Sequence, residues 1–260
     1  MKTNSVLAVQ LLTAAFRSNR QIADLPEEAR PRSFDEAYDR QDRLAQALGY
    51  GTYGWKIGLT TPSSRKTAGV EAPMVGRLFR GSVWQTGETI GHVGQWAPGV
   101  ETEFAFEIAR PPAGVARPLS RDEAAATVGR CFLALEIIGS RFVDRNRLGW
   151  NAIAGDNAGG LGFVVGPEVP DWREVDFPSI RSDATADGAP LAAGLTGEAR
   201  SHPLDVLGWF YDWAARRGTG LSPGVVISTG TCCVPTPIPL GKKIAGRFEG
   251  LGEVSCTIES

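Results

Sequence analysis

The stretch that most constrains this chain is Gly99–Arg110, G-V-E-T-E-F-A-F-E-I-A-R. Its apolar residues alternate as they do in a strand with one face in a core. Val100, Thr102, Phe104, Phe106 and Ile108 fall on one face, and Glu101, Glu103 and Ala105 on the other. Carboxylates at i and i+2 of a strand point the same way, roughly 6–7 Å apart at the backbone. Their tips can therefore converge on one ion about 2 Å from each. Apolar neighbours argue against a solvated face. A buried, unpaired carboxylate is costly, and a cation is one means of keeping it charged.

Glu136, in C-F-L-A-L-E-I-I-G-S-R-F, is a third acid among apolar residues and needs a partner. It either pairs with a neighbour such as Arg141 or Lys56, or completes a metal site with Glu101 and Glu103. Three carboxylates without imidazole or thiolate select a hard divalent ion, Mg²⁺ or Mn²⁺. Octahedral geometry leaves such an ion about three positions for water or substrate oxygens. A vacant face is what a catalytic metal requires. Lys56, in Y-G-W-K-I-G-L, is a lone cation in an apolar strand. It either snorkels to the surface or faces the acids, there to anchor an anionic substrate or move protons.

General properties narrow the class. The chain has 260 residues and a net charge of −2, which argues against a nucleic-acid or polyanion partner. Its length suits one large domain with a small appendage, and no apolar run is long enough to span a bilayer. The N-terminal M-K-T-N-S-V-L-A-V-Q-L-L reads as a helix rather than a signal peptide, because Gln10 interrupts its apolar run. Four cysteines without a C-x-x-C pair suit a reducing, cytoplasmic setting. Only His92 and His202 are available, which argues against an imidazole-built zinc site.

Residues 1–48 read as a helical segment packed on the main domain, with a capping box at Ser33-Phe-Asp-Glu36 and a stop at Gly49. Beyond it, short apolar runs between turn residues predict strands at Tyr53–Leu59, Leu78–Val83, Val100–Ala109, Cys131–Ile138, Gly162–Val165, Val225–Gly230, Lys243–Phe248 and Glu253–Ile258. Helices are predicted over Arg121–Gly129 and Pro203–Arg217. The polar interval Pro167–Ala199 reads as a hairpin excursion or a long surface loop. The mixture is a β-rich α+β fold, not a βαβ repeat.

Tyr53–Thr60, Gly69–Leu78, Val100–Phe106, Ala134–Phe142, Asp156–Gly166 and the terminal I-S-T-G-T…G-R-F-E-G-L-G-E-V-S occur in an order that resembles the 2-keto-4-pentenoate hydratase group of the fumarylacetoacetate hydrolase superfamily. The resemblance spans about 50 to 258. It implies a mixed β-roll, barrel-like fold over 49–260, an N-terminal helical segment and a homo-oligomer. It also implies Mg²⁺ or Mn²⁺ held by Glu101, Glu103 and Glu136, and an active-site lysine at Lys56. The activity implied is addition of water to a 2-hydroxy-2,4-dienoate through the enolate of a 2-oxo acid, with Lys56 and Glu103 catalytic. Decarboxylation of a 4-oxalocrotonate is the alternative, then C–C hydrolysis, and, from another class, a non-catalytic binding protein on the same roll.

Three departures from the hydratases bear on the substrate. Gly159 and Gly160 stand where hydratases tend to carry serines, leaving two backbone N–H groups for a carboxylate. Gly139 stands where they usually carry an aspartate. Arg80 replaces an acidic neighbourhood, and reads either as a surface residue or as a contact for a second substrate carboxylate.

Overall fold

The computed structural model describes residues 2–91 and 93–260; His92 lies outside the described residues. The strands, numbered along the chain, are β1 Thr52–Gly58, β2 Met74–Phe79, β3 Val83–Gln85, β4 Thr89–Ile90, β5 Gly99–Ile108, β6 Val128–Ile138, β7 Gly160–Glu168, β8 Ser182–Ala186, β9 Ala189–Ala192, β10 Val226–Thr231, β11 Thr236–Pro237, β12 Lys243–Phe248 and β13 Gly252–Ile258. The α-helices are α1 Lys2–Ser18, α2 Phe34–Leu48, α3 Pro62–Ala68, α4 Arg121–Thr127, α5 Arg145–Gly155 and α6 Pro203–Arg216.

Two sheets share the work. The larger runs β2-β1-β10-β5-β6-β7-β3, with β11 added beside β5, and the smaller runs β4-β13-β12-β8-β9. The alternation of β5 decides how they pack. Val100, Phe104, Phe106 and Ile108 join Leu133, Leu135 and Ile137 of β6 in the main core. Ile244, Val254 and Cys256 of the smaller sheet and Leu207 and Phe210 of α6 cover that face. The other face curls around Leu78, Ala105, Phe132, Ala134, Phe163, Val165 and Val226. β2 and β7, far apart in ladder order, touch, so the larger sheet is rolled. This is the mixed β-roll expected of the chain, with helices at its N-terminus.

Ser33 caps α2 by accepting from Glu36 N, and Gly49 ends it in the left-handed region at φ 69°. The expected capping box is only half formed, because Glu36 turns its carboxylate to Arg32 N–H at 2.9 Å. A separate apolar cluster joins Leu12 of α1 and Leu44 and Leu48 of α2 to Phe142, Leu148 and Ala152 at the entry to α5 and along it. No helix among the described residues is long and apolar enough to cross a membrane.

Where the structure departs from the pattern reading, a physical reason is visible. The strand expected at Leu78–Val83 runs instead from Met74 to Phe79, and Arg80–Ser82 is a 3-10 turn. Gly76 and Arg77 break its apolar alternation, and the space at Gly76 is filled by the stem of Lys56. Helix α3 carries no apolar stripe in the sequence, because none of its residues is buried. Helix α5 is broken at Gly149, φ 78°, which destroys its period. Within Pro167–Ala199, β8 and β9 form a hairpin, and β8 pairs with β12 inside the smaller sheet.

Candidate metal centre and active site

The inner face of the roll carries the acids. Glu101 stands directly opposite Glu136 in the β5–β6 ladder, and Glu103 opposite Ala134. Like charges facing one another across strands destabilise a sheet unless something lies between them. One carboxylate oxygen from each of Glu101, Glu103 and Glu136 lies within 4.8 Å of the others. That is the span a single hard cation, about 2–2.5 Å from each oxygen, can bridge. Glu103 and Glu136 are wholly buried, whereas Glu101 is partly exposed.

Lys56 enters from β1. It is 3% exposed, and its register partners are Gly76 on β2 and Ser228 on β10. Its Nζ lies 2.8 Å from Glu136 Oε1. Glu136 Oε1 therefore has the ammonium beside it, whereas Glu136 Oε2 and Glu103 Oε1 have no hydrogen-bond donor among the described residues. Buried carboxylate oxygens seldom go without donors. Two such oxygens beside a like-charge cross-strand pair fit a divalent cation, which accepts their lone pairs. The cluster holds three carboxylates against one ammonium, so a single lysine does not balance it.

Glu103 is held from behind. The Ser228 hydroxyl donates to its Oε2. The Gly230 N–H donates to the same oxygen at 3.1 Å. Gly230 has φ 97° and sits where the β10–β5 register shifts. The bulge thus turns a backbone N–H from the ladder toward the acid. Pattern reading missed both residues, although a glycine inside a strand, as in S-T-G-T, is the signature of such a bulge.

Burial, followed by the charge of Glu136, pushes the Glu101 carboxyl up to about 7, against the pull of Lys56 and Arg145. Burial, then Glu136 and Glu101, raises Glu103 well above the ordinary carboxylate range. Burial works to lower the Lys56 ammonium, but Glu136 and then Glu101 outweigh it and hold it above the usual lysine value. Lys56 is therefore charged at neutral pH and can donate a proton. A raised native pKa stabilises the fold only while the proton stays on, and that contribution fades as pH rises from the unfolded value toward the native one. In chelator, the melting temperature is therefore expected to fall as pH rises from 4.5 to about 7. Saturating Mg²⁺ is expected to flatten or reverse this slope, because the ion binds the deprotonated cluster. A cation-independent slope in melts across this range sinks the electrostatic account.

Not every expected site residue comes to the cluster. Arg80 is exposed, and lines a separate recess of about 670 Å³ with Tyr53, Trp55, Arg77 and Arg217. Trp55 and Lys56 are consecutive in β1 and so point to opposite faces. The structure thus sets Arg80 in this recess rather than beside the acids. Gly159 and Gly160 do lie near Lys56, and a Cβ on Gly160 would stand 3.5 Å from its Cε. Their amides, however, are not free. Asn157, Ala158 and Gly159 form a left-handed turn at φ 52°, 54° and 70°. In it Gly159 N–H donates to Asp156 O at 3.0 Å, and Gly160 N–H to Asn157 O. The expected capture of a carboxylate by these two N–H groups is corrected accordingly. Gly139 admits no side chain at all, since a Cβ would lie 2.6 Å from Trp96 O and 2.5 Å from Leu161 Cδ1.

Arg141 does not pair with Glu136. It is 1% exposed and reaches Asp156 Oδ1 at 3.3 Å and Gly160 O at 2.8 Å. Its guanidinium lies 3.7 Å from the centre of the Phe16 ring of α1. The N-terminal helix thereby braces the turn that precedes β7.

No protein-family model matches the chain. It is similar to the 2-keto-4-pentenoate hydratase of Burkholderia vietnamiensis, 29% identical over 95% of this chain and 94% of that one. It is also similar to the 2-hydroxyhexa-2,4-dienoate hydratase of Comamonas testosteroni, 28% identical over 96% and 95% of the two chains. Among solved structures, 4-oxalocrotonate decarboxylase from Pseudomonas putida G7, complexed with magnesium and adipate, superposes with a TM-score of 0.86. That match covers 99% of this chain and 98% of the other, at 23% identity, and speaks to the fold.

Proposed function

Taking the chain as a relative of the 2-keto-4-pentenoate hydratase group of the fumarylacetoacetate hydrolase superfamily, we propose that it is a divalent-metal-dependent hydro-lyase. Its substrate is a 2-hydroxy-2,4-dienoate, to which it adds water. The observation that carries this reading is the convergence of Glu101, Glu103 and Glu136 beside a charged Lys56, with Glu136 Oε2 and Glu103 Oε1 buried and lacking donors. When bound by these three glutamates, Mg²⁺ or Mn²⁺ supplies Lewis-acid charge where negative charge develops on the substrate's 2-oxygen.

The chain's own residues do the rest. Lys56 neutralises the substrate's anionic head and delivers a proton from Nζ to the terminal carbon of the dienol, and the proton lost by the 2-hydroxyl returns to the lysine amine. The product is an unsaturated 2-oxo acid, to which water adds at carbon 4, with a proton arriving at carbon 3. Glu103, oriented by Ser228 and Gly230, is the carboxylate we assign to take the water's proton. Residues 49–260 carry this chemistry in the proposal, and 1–48 brace it through Phe16 and Arg141. A cytoplasmic homo-oligomer fits the reading, with exposed Val6 and Leu7 of α1 offering an apolar surface.

The test is purified protein with 2-hydroxypenta-2,4-dienoate, with and without Mg²⁺. The expected result is metal-dependent loss of the dienol absorbance with formation of the 4-hydroxy-2-oxo acid. Release of CO₂ from a 4-oxalocrotonate without hydration moves the chain to the decarboxylase reading. Metal-dependent binding without turnover of either compound makes it a binding protein.

A further inference from the structure

The rolled sheet has a seam. β2 is an edge strand of the ladder, and its outer side faces the turn that leads into β7. Asn157 closes that gap with its side chain. Its Nδ2 donates to Arg77 O at 2.9 Å, and its Oδ1 accepts from Arg77 N–H at 2.8 Å. The amide thus acts as one further rung of the ladder, satisfying a donor and an acceptor that an edge strand leaves open. Asn157 is 2% exposed. It holds φ 52°, a conformation that asparagine tolerates better than most residues, and Ala158 follows at 54°. Such strain persists only where the surroundings over-determine it, and it gathers at functional sites.

What the rung holds in place is the neighbour of Lys56. A Cβ on Gly76 would stand 2.6 Å from Asn157 O, 3.0 Å from Ala158 Cβ and 3.0 Å from Lys56 Cε. The turn and the lysine stem therefore close together on the space over Gly76, which leaves no room for a methyl group. Moving the turn opens or closes the slot in which Lys56 lies. We propose that Asn157 is a positioning residue: by pinning the left-handed turn to the edge of β2, it sets where the Lys56 ammonium stands against Glu136. This rests on the proton-donor role of Lys56 proposed above.

Two substitutions separate the amide from the strain. Asn157→Gly removes both hydrogen bonds while keeping positive φ accessible. Asn157→Asp keeps the shape but sets a carboxylate oxygen against Arg77 O. Crystal structures of both, with hydration kinetics and Mn²⁺ titrations, form the test. Lys56 is expected to leave Glu136, and kcat to fall at least about tenfold while KM and Mn²⁺ affinity stay within about threefold. Gly76→Ala, which presses on the same slot with the amide intact, is expected to give the same split and covers the case in which neither Asn157 variant folds. An unmoved Lys56 with unchanged kcat overturns the proposal. So does a loss of kcat matched by an equal loss of Mn²⁺ affinity, which is the mark of general disruption. If the unaltered protein hydrates no dienoate, the functional reading fails by itself, and the position of Lys56 in the variant structures still decides the role of Asn157.

Discussion

Glu103→Gln is expected to lower turnover of a 2-hydroxy-2,4-dienoate by about a thousandfold or more while the protein stays folded. Glu103 is wholly buried, and only its Oε2 is engaged, by Ser228 and Gly230. A glutamine carbonyl can accept the same two hydrogen bonds. Its NH₂ then points at the remaining carboxylates, where a donor is welcome. The substitution thus removes a buried charge without leaving a polar group stranded. Melts in chelator should show the variant as stable as the parent or more so, because the parent's acid is pushed far from its ordinary pKa by burial and by like charges. Addition of Mg²⁺ should then stabilise the variant far less than the parent. A variant that keeps its activity removes Glu103 from the chemistry. One that melts far below the parent in chelator assigns it to the scaffold instead.

Lys56→Met is expected to be the more damaging change. The lysine is the cation in contact with Glu136, and the pair sits at 3% and 0% exposure. Removing one partner of a buried pair strands the other's charge, which costs about 3–5 kcal/mol. The single variant should therefore melt well below the parent, least so in saturating Mg²⁺, which still gives Glu136 a counter-charge. The double variant Lys56→Met, Glu136→Leu replaces the pair with apolar groups of similar volume and should regain most of that stability. It should regain no activity, since both the proton donor and a metal-binding acid are gone. Thermal melts and initial rates of the parent and the two variants decide this. A double variant no more stable than Lys56→Met shows that packing of the lysine stem against Gly76, not charge, is what β1 contributes.

Much of the site was legible in the chain because strand geometry is local. Alternation along β5 places Glu101 and Glu103 on one face, whatever the rest of the fold does. An acid amid C-F-L-A-L-E-I-I carries its need for a partner with it. Lys56, as a cation within an apolar strand, does the same. The helix ends at Ser33 and Gly49 were equally readable, since capping is settled within one turn.

What the chain order could not convey was which neighbour answers each need. Lys56 and Arg141 were equivalent partners for Glu136 until the roll set β1 across from β6 and turned Arg141 back to Asp156. The family resemblance offered Arg80 and the amides of Gly159 and Gly160 as substrate contacts. A 3-10 turn carried the first to another face, and a left-handed turn consumed the other two. Ser228, Gly230 and Asn157 act through a bulge and a seam, and neither exists before the sheet closes. The sequence alone determined which side chains could not remain solitary, because burial and charge are properties of a residue and its near neighbours. Only the tertiary structure decided how they are matched, because hydrogen bonds and ion pairs depend on positions a few ångströms apart that come from strands far apart in the chain.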